Sequence, residues 1–195
     1  MDGNRRSQVR ERFLALAPAI AAVHGATALT IERVAEVAGL SKQDFMDEFR
    51  DLQDFFSAVQ LHFFNGRLNY VIENTPKHLT PSLERVRYSL TQYLDYTVQH
   101  AAVFAWCNDA RIRFPELQAE ARKRNGNMAQ MLGIEFRSLG WTHAAENVRL
   151  IVAVVLELTA EESEAGQPRP AAREALWAFV EALSKHRSVA VTALP

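Results

Sequence analysis

Residues 30–49, TIERVAEVAGLSKQDFMDEF, read as two short helices joined by a tight turn, and that reading decides the fold. Thr30 offers its hydroxyl to the open amides of a first helical turn, and Glu32 sits where the positive end of the helix dipole favours a carboxylate. Ile31, Val34, Ala35 and Ala38 then recur at helical spacing, so one face is core. Gly39 stands where a helix ends on a left-handed residue, Leu40 can fold back onto the core, and Ser41 with Asp44 three residues on makes a capping box for the next helix. In that second helix Phe45 and Phe49 point inward at i and i+4, which leaves Lys42, Gln43, Met46 and Asp47 outward. Two helices joined by so short a turn are a helix-turn-helix candidate, and the outward residues of the second lie where a recognition helix would meet a DNA groove.

Upstream, residues 7–24 predict one more helix with Phe13, Leu14, Ala17, Ile20 and Ala21 inward and Gly25 beyond its end. Pro18 inside it removes a backbone donor and crowds the carbonyl of Leu14, so a kink or a split is expected there. Downstream, a long helix from Asp51 to about Glu73 carries Leu52, Phe55, Phe56, Val59, Phe63, Leu68, Val71 and Ile72. A loop rich in breakers follows, and Thr80 and Pro81 predict the cap and first turn of a helix running to about His100. A short aromatic-rich stretch leads to Pro115 and a helix ending near Leu139. Thr142 is expected to cap a helix that is strongly apolar from Val148 to Leu158. The polar, proline-bearing run 161–170 reads as a loop before a last helix with Leu176, Phe179, Val180 and Leu183, and the residues after Arg187 are expected to fray. The class is all-α, with a three-helix head at 1–50 and a larger helical domain at 51–195.

The 195 residues are 48% hydrophobic with only 8 glycines and 7 prolines, which excludes a disordered chain and leaves enough apolar mass for a sizeable core. Cys107, the single cysteine, excludes a disulfide framework and a cysteine-rich zinc site. The longest apolar run is interrupted by Glu157 and falls short of the roughly 20 residues a bilayer requires, so no membrane partner is expected and the cytoplasm is the expected compartment.

Overall net charge is only −1, so the local balance decides more. Residues 1–12 are net +2, with Arg5, Arg6, Arg10 and Arg12 forming an arm that could reach phosphates or a minor groove. Residues 30–56, which should approach a polyanion, carry three basic side chains against seven acidic ones, net −4. Asp44 is accounted for as a cap and Glu32 as a dipole partner; Asp47 and Glu48 are not.

Residues 7–56 resemble the N-terminal domain of the TetR family of bacterial transcriptional regulators, with Phe13, Leu14, Ala17, Gly25, Thr30, Ala35, Gly39, Ser41 and Phe49 in the expected places. Chain length and helical layout agree with the resemblance. It departs on the DNA-facing side, where Met46 and Glu48 replace the usual tyrosine and histidine and Leu52 the usual lysine. The resemblance implies a ligand-responsive regulator, of repressor type, that binds a double-stranded DNA operator as a homodimer. Lys42 and Gln43 would meet base edges, beside Asp47, while Thr30, Ser41, Arg50 and the arm residues Arg5, Arg6 and Arg10 would contact the backbone. The helix after the head would transmit ligand binding to the DNA-reading face. A four-helix dimer interface from the last two long helices would include Val148, Ile151, Val152, Val155, Leu176, Phe179, Val180 and Leu183. Phe63, Phe64, Tyr70, Tyr88, Tyr93, Tyr96, Phe104 and Trp106 are candidates to line an effector pocket, and their character favours an apolar or amphipathic small molecule. The acidic head keeps a second possibility open, a protein of this fold that acts through a protein partner or a ligand instead of DNA.

Enzyme chemistry has little to stand on. His62, His78, His100, His143 and His186 lack metal-ligand spacing, and neither a phosphate-binding glycine loop nor a serine elbow is present. Cys107 beside Asn108 and Asp109 suits a small buried hydrophobe better than a nucleophile. No catalytic residue, metal or cofactor is expected.

Overall fold

The computed structural model describes residues 2–185, with side chains from Gln8 onward; Arg5, Arg6, His186 and the expected frayed end lie outside the residues so described. Helices are α1 (Asp2–Val23), α2 (Ile31–Ala38), α3 (Lys42–Glu48), α4 (Leu52–Asn74), α5 (Leu83–Gln99), α6 (Ala101–Arg113), α7 (Glu116–Ser138), α8 (Ala144–Ala165) and α9 (Pro170–Ser184). A single 3-10 turn, Ala26–Ala28, precedes α2, and no strand occurs among the described residues. The class is all-α.

The chain forms two compact units, Met1–Arg67 with His100–Ala121, and Leu68–Gln99 with Arg122–Pro195. These cuts differ from a single boundary at residue 50, because α6 returns to pack on α1 and the 3-10 turn of the head. Arg113 fastens that return by donating to the carbonyls of Ala26 at 3.0 Å and Leu29 at 2.9 Å.

The core of the first unit is aromatic. Phe13 of α1 meets Phe45 edge-on at 5.6 Å and Phe49 at 5.8 Å, and Phe55 of α4 closes on the same two rings at 5.6 and 5.2 Å. Edge-to-face packing sets the negative faces of these rings against positive edges, which fixes angles as well as distances. Trp106 of α6 extends the cluster through Phe56 at 4.6 Å. Despite Pro18, α1 runs unbroken to Val23, so of the expected kink or split the split does not occur.

In the second unit, Val86, Leu90 and Leu94 of α5 pack with Phe136 of α7, Ile151 and Val155 of α8 and Leu176 and Val180 of α9. Trp141 stacks on Phe136 at 4.2 Å, just past a reversal in which Gly140, at φ 74°, donates to the Arg137 carbonyl and Trp141 to that of Phe136. Three local expectations are corrected here. The hydroxyl of Ser82, not Thr80, accepts from the Arg85 amide at 3.0 Å and opens α5, because the turn begins one step beyond Pro81. The N-cap of α8 is His143, in the left-handed region at φ 53° with no side-chain cap bond, and not Thr142. The stretch 161–165 is helical, and the loop is confined to the residues between Ala165 and Pro170.

A buried ionic knot explains that last difference. Glu162, 0% exposed, accepts two bonds of 2.7 Å from the Arg173 guanidinium and one of 2.9 Å from the Arg169 amide. Arg173 also reaches Asp95 of α5 at 2.6 Å, so three helices share one charge cluster. Its two carboxylates hold Arg173 protonated to still higher pH than an ordinary guanidinium, Glu162 contributing most.

Candidate nucleic-acid interface

The turn between α2 and α3 is built as its residues dictate. Thr30 accepts from the Arg33 amide at 3.3 Å and opens α2. Gly39 ends it at φ 62°, donating to the Glu36 carbonyl at 3.0 Å while Leu40 donates to that of Ala35 at 3.0 Å, a Schellman reversal. Ser41 then caps α3: its hydroxyl accepts from the Asp44 amide at 3.0 Å and the Asp44 carboxylate accepts from the Ser41 amide at 2.8 Å. A Cβ at Gly39 would meet the Arg12 guanidinium at 3.2 Å, so α1 lies against the turn as well.

With Phe45 and Phe49 buried, the outward face of α3 carries Lys42, Gln43, Met46 and Asp47, all exposed. Lys42 and Gln43, the expected base readers, are engaged within the head. Lys42 Nζ pairs with Glu32 Oε1 of α2 at 2.6 Å, and Gln43 donates to Asp47 Oδ1 at 2.7 Å. The bond from Lys42 holds the Glu32 carboxyl below the usual carboxylate range. Arg33 is paired with Glu36 at 2.7 Å, and Arg50 with Asp54 at 3.6 Å. Of the arm, Arg10 is half-buried and works inside the head, donating to the Glu48 carbonyl at 2.8 Å at the open end of α3 and covering the Phe49 ring at 4.6 Å. Sequence alone marks the excess of carboxylates but not their choice of partners, since Glu32 and Lys42 are ten residues apart.

The aromatic candidates divide between the units. Phe63, Phe64, Phe104 and Trp106 belong to the first, where Phe63 lies 6.0 Å from both Phe64 and Phe104. Tyr70, Tyr88, Tyr93 and Tyr96 belong to the second, with Tyr70 and Tyr96 at 5.4 Å.

The candidate interface residues are placed differently from the expectation of a partner-facing stripe. Val148, Ile151, Val152, Val155, Leu176 and Val180 are buried in the core of their own unit, and Phe179 and Leu183 pack against it. The outward faces of the same helices carry Leu150, 53% exposed, and Val154, 41% exposed, with Ala171, Ala175, Ala178 and Ala182 on α9. Helical periodicity finds both stripes but cannot say which one a helix keeps for its own chain.

Among the described residues no group of three His, Cys, Asp or Glu side chains is placed to hold a metal ion, and no helix is long and apolar enough to cross a membrane. Burial pushes the Cys107 thiol from its ordinary value of 9.0 up to about 12, which leaves it protonated and poorly nucleophilic.

No family model matches the chain, and no curated protein does. Solved structures do share its fold. A transcriptional regulator from Rhodococcus sp. Rha1 superposes with a TM-score of 0.77 at 20% identity, over 95% of this chain and 99% of that one. A regulator from Rhodococcus sp. assigned to the TetR family gives 0.76 at 17% identity, over 91% and 99%. The ketosteroid transcriptional regulator KstR2 of Mycobacterium tuberculosis gives 0.61 at 17% identity, over 92% and 94%.

Proposed function

We propose, from a fold shared with TetR-family regulators, that this chain is a ligand-responsive DNA-binding transcriptional regulator, of repressor type, acting as a homodimer in the bacterial cytoplasm. The observation that carries the reading is the α2–turn–α3 unit, whose two helices are locked by a Schellman reversal, a capping box and a four-phenylalanine core. Such rigidity sets a recognition helix at a fixed angle, as reading a major groove requires. Lys42 and Gln43 are the base-edge readers, while Thr30, Ser41 and Arg50 flank them for phosphates. A dimer would set two heads about 34–36 Å apart on successive major grooves, joined through Leu150, Val154 and the exposed alanines of α9. The effector is a small apolar or amphipathic molecule received by the aromatic middle helices.

A specific observation favours a second reading. Lys42 and Gln43 are paired with Glu32 and Asp47, and a face so occupied suits a cationic protein partner. Gel-shift titration against the DNA flanking its own gene separates the two. DNA has to displace both carboxylates, and a carboxylate about 4 Å from a phosphate costs roughly 1 kcal/mol even in water, about fivefold in affinity. Glu32→Gln with Asp47→Asn should therefore tighten operator binding about tenfold or more, whereas Lys42→Ala removes sequence preference. If neither the unmodified chain nor the neutralised variant selects any flanking DNA, operator binding is wrong and the partner reading replaces it.

A further inference from the structure

One outward side chain of α3 takes no part in the polar network of its face. Burial of Phe45 and Phe49, 0% and 1% exposed, fixes how the helix is turned about its axis, and Met46 lies on the open side, 41% exposed. Lys42 and Gln43 stand four and three residues before it, so the three side chains form one patch over a single turn. The patch is divided by chemistry. Lys42 reaches back to Glu32 of α2 at 2.6 Å and Gln43 donates to Asp47 at 2.7 Å, so each meets a base only by giving up or sharing a carboxylate. Met46 has no polar anchor to give up.

A duplex offers an apolar side chain one specific target. In the major groove thymine projects its C5-methyl group, whereas the other bases present hydrogen-bond donors and acceptors there. An unbranched, flexible methionine packs on such a methyl without demanding one fixed angle. The face is convex, so the concave partner is the groove of the duplex itself. A single methionine ringed by Lys42, Gln43 and Asp47, all exposed, suits one methyl-sized target better than a broad apolar protein surface.

We infer that Met46 is a specificity-determining residue of α3, which selects thymine in the operator half-site by packing on its 5-methyl group. The inference rests on the DNA-binding reading above and deepens it. Beside Lys42 and Gln43, which read polar base edges, it adds an apolar readout that requires no carboxylate to be displaced.

Uracil in place of thymine tests it, because the two bases pair alike and differ by that methyl alone. Duplexes that the full chain selects from a random pool are rebuilt with uracil at one thymine at a time in one half-site, and gel-shift titration compares each with its parent. One thymine should prove sensitive, its replacement weakening binding about threefold to fourfold, the factor that burial of one methyl-sized group supplies. Met46→Ala should bring that ratio to about one, and Met46→Leu, still apolar, should keep most of it, with circular dichroism confirming both folds. If Met46→Ala does not fold, Met46→Gln, polar and of similar length, takes its place. The ratio should hold at two salt concentrations while overall affinity falls, since an apolar contact releases no counterion. Selected DNA with no sensitive thymine overturns the inference and leaves the DNA reading standing. A ratio that survives Met46→Ala assigns the preference to another residue or to duplex shape, and a ratio that shrinks with salt assigns it to charge; either overturns the apolar contact. If the chain selects no duplex at all, the DNA reading and the inference fall together.

Discussion

Removing the Arg173 guanidinium while keeping its alkyl packing, as Arg173→Met does, should be among the most destabilising single changes in the second unit. Glu162 would remain fully buried with only the Arg169 amide, having lost two bonds of 2.7 Å, and Asp95 would lose one of 2.6 Å. Leaving one partner of a buried ion pair uncompensated costs about 3–5 kcal/mol. For a chain of this length each kcal/mol lowers the melting temperature by about 2–4 °C, so the midpoint should fall by about 6–20 °C. Adding Glu162→Gln removes the stranded charge while still offering an acceptor to the Arg169 amide, so the double variant should be more stable than Arg173→Met alone. Thermal unfolding followed by circular dichroism reads all three chains. A fall of less than about 2 °C for Arg173→Met, or a double variant less stable than the single, would refute the claim that this knot fastens α5, α8 and α9 together.

Leu150→Asp and Val154→Asp should give monomers in sedimentation with little change in melting temperature, whereas Val155→Asp, at a fully buried position, should unfold the second unit; a dimer surviving both exposed substitutions moves the interface elsewhere. Cys107 should resist iodoacetamide at pH 8 in the folded chain and react once the chain is unfolded by urea, because its thiol is protonated until about pH 12. Its raised value stabilises the fold fully below pH 9.0, and that contribution should shrink as pH rises from 9.0 towards 12; a Cys107→Ser chain with the same alkaline loss would contradict it.

What the sequence makes legible follows from how far apart the deciding residues lie. Thr30, Gly39, Ser41 and Asp44 act within three or four residues of themselves, so caps and turn are readable from local spacing. Inward phenylalanines at 45 and 49 are equally local. Glu162 is not: it continues the buried stripe through Leu158 and Thr159, but its charge resembles a loop until Arg173, eleven residues on, is seen beside it. The same distance limit hides the outward stripe of α8, since Leu150 and Val154 are as apolar as their buried neighbours. It also hides the fastening of α6 to the head, where Arg113 reaches carbonyls at 26 and 29.

In the head, the acidic excess and the engagement of Lys42 are one feature. Glu32 both adds negative charge near the expected phosphates and occupies the cation that would neutralise one of them. On the proposed reading, DNA binding through Lys42 would exchange a carboxylate for a phosphate, because the cation is already partly compensated by Glu32. Each cation delivered uncompensated to a phosphate steepens the fall of log affinity with log salt by about 0.9. Neutralising Glu32 should therefore tighten binding and steepen its salt dependence together. Simple relief of repulsion would change both in the same direction, since salt screens a repulsion too and its removal leaves the attraction to fall more steeply. Coupling separates a latch on Lys42 from mere acidity of the surface: with Lys42→Ala already in place, Glu32→Gln should gain little affinity for DNA if its carboxylate acts through Lys42, and an undiminished gain would refute the latch.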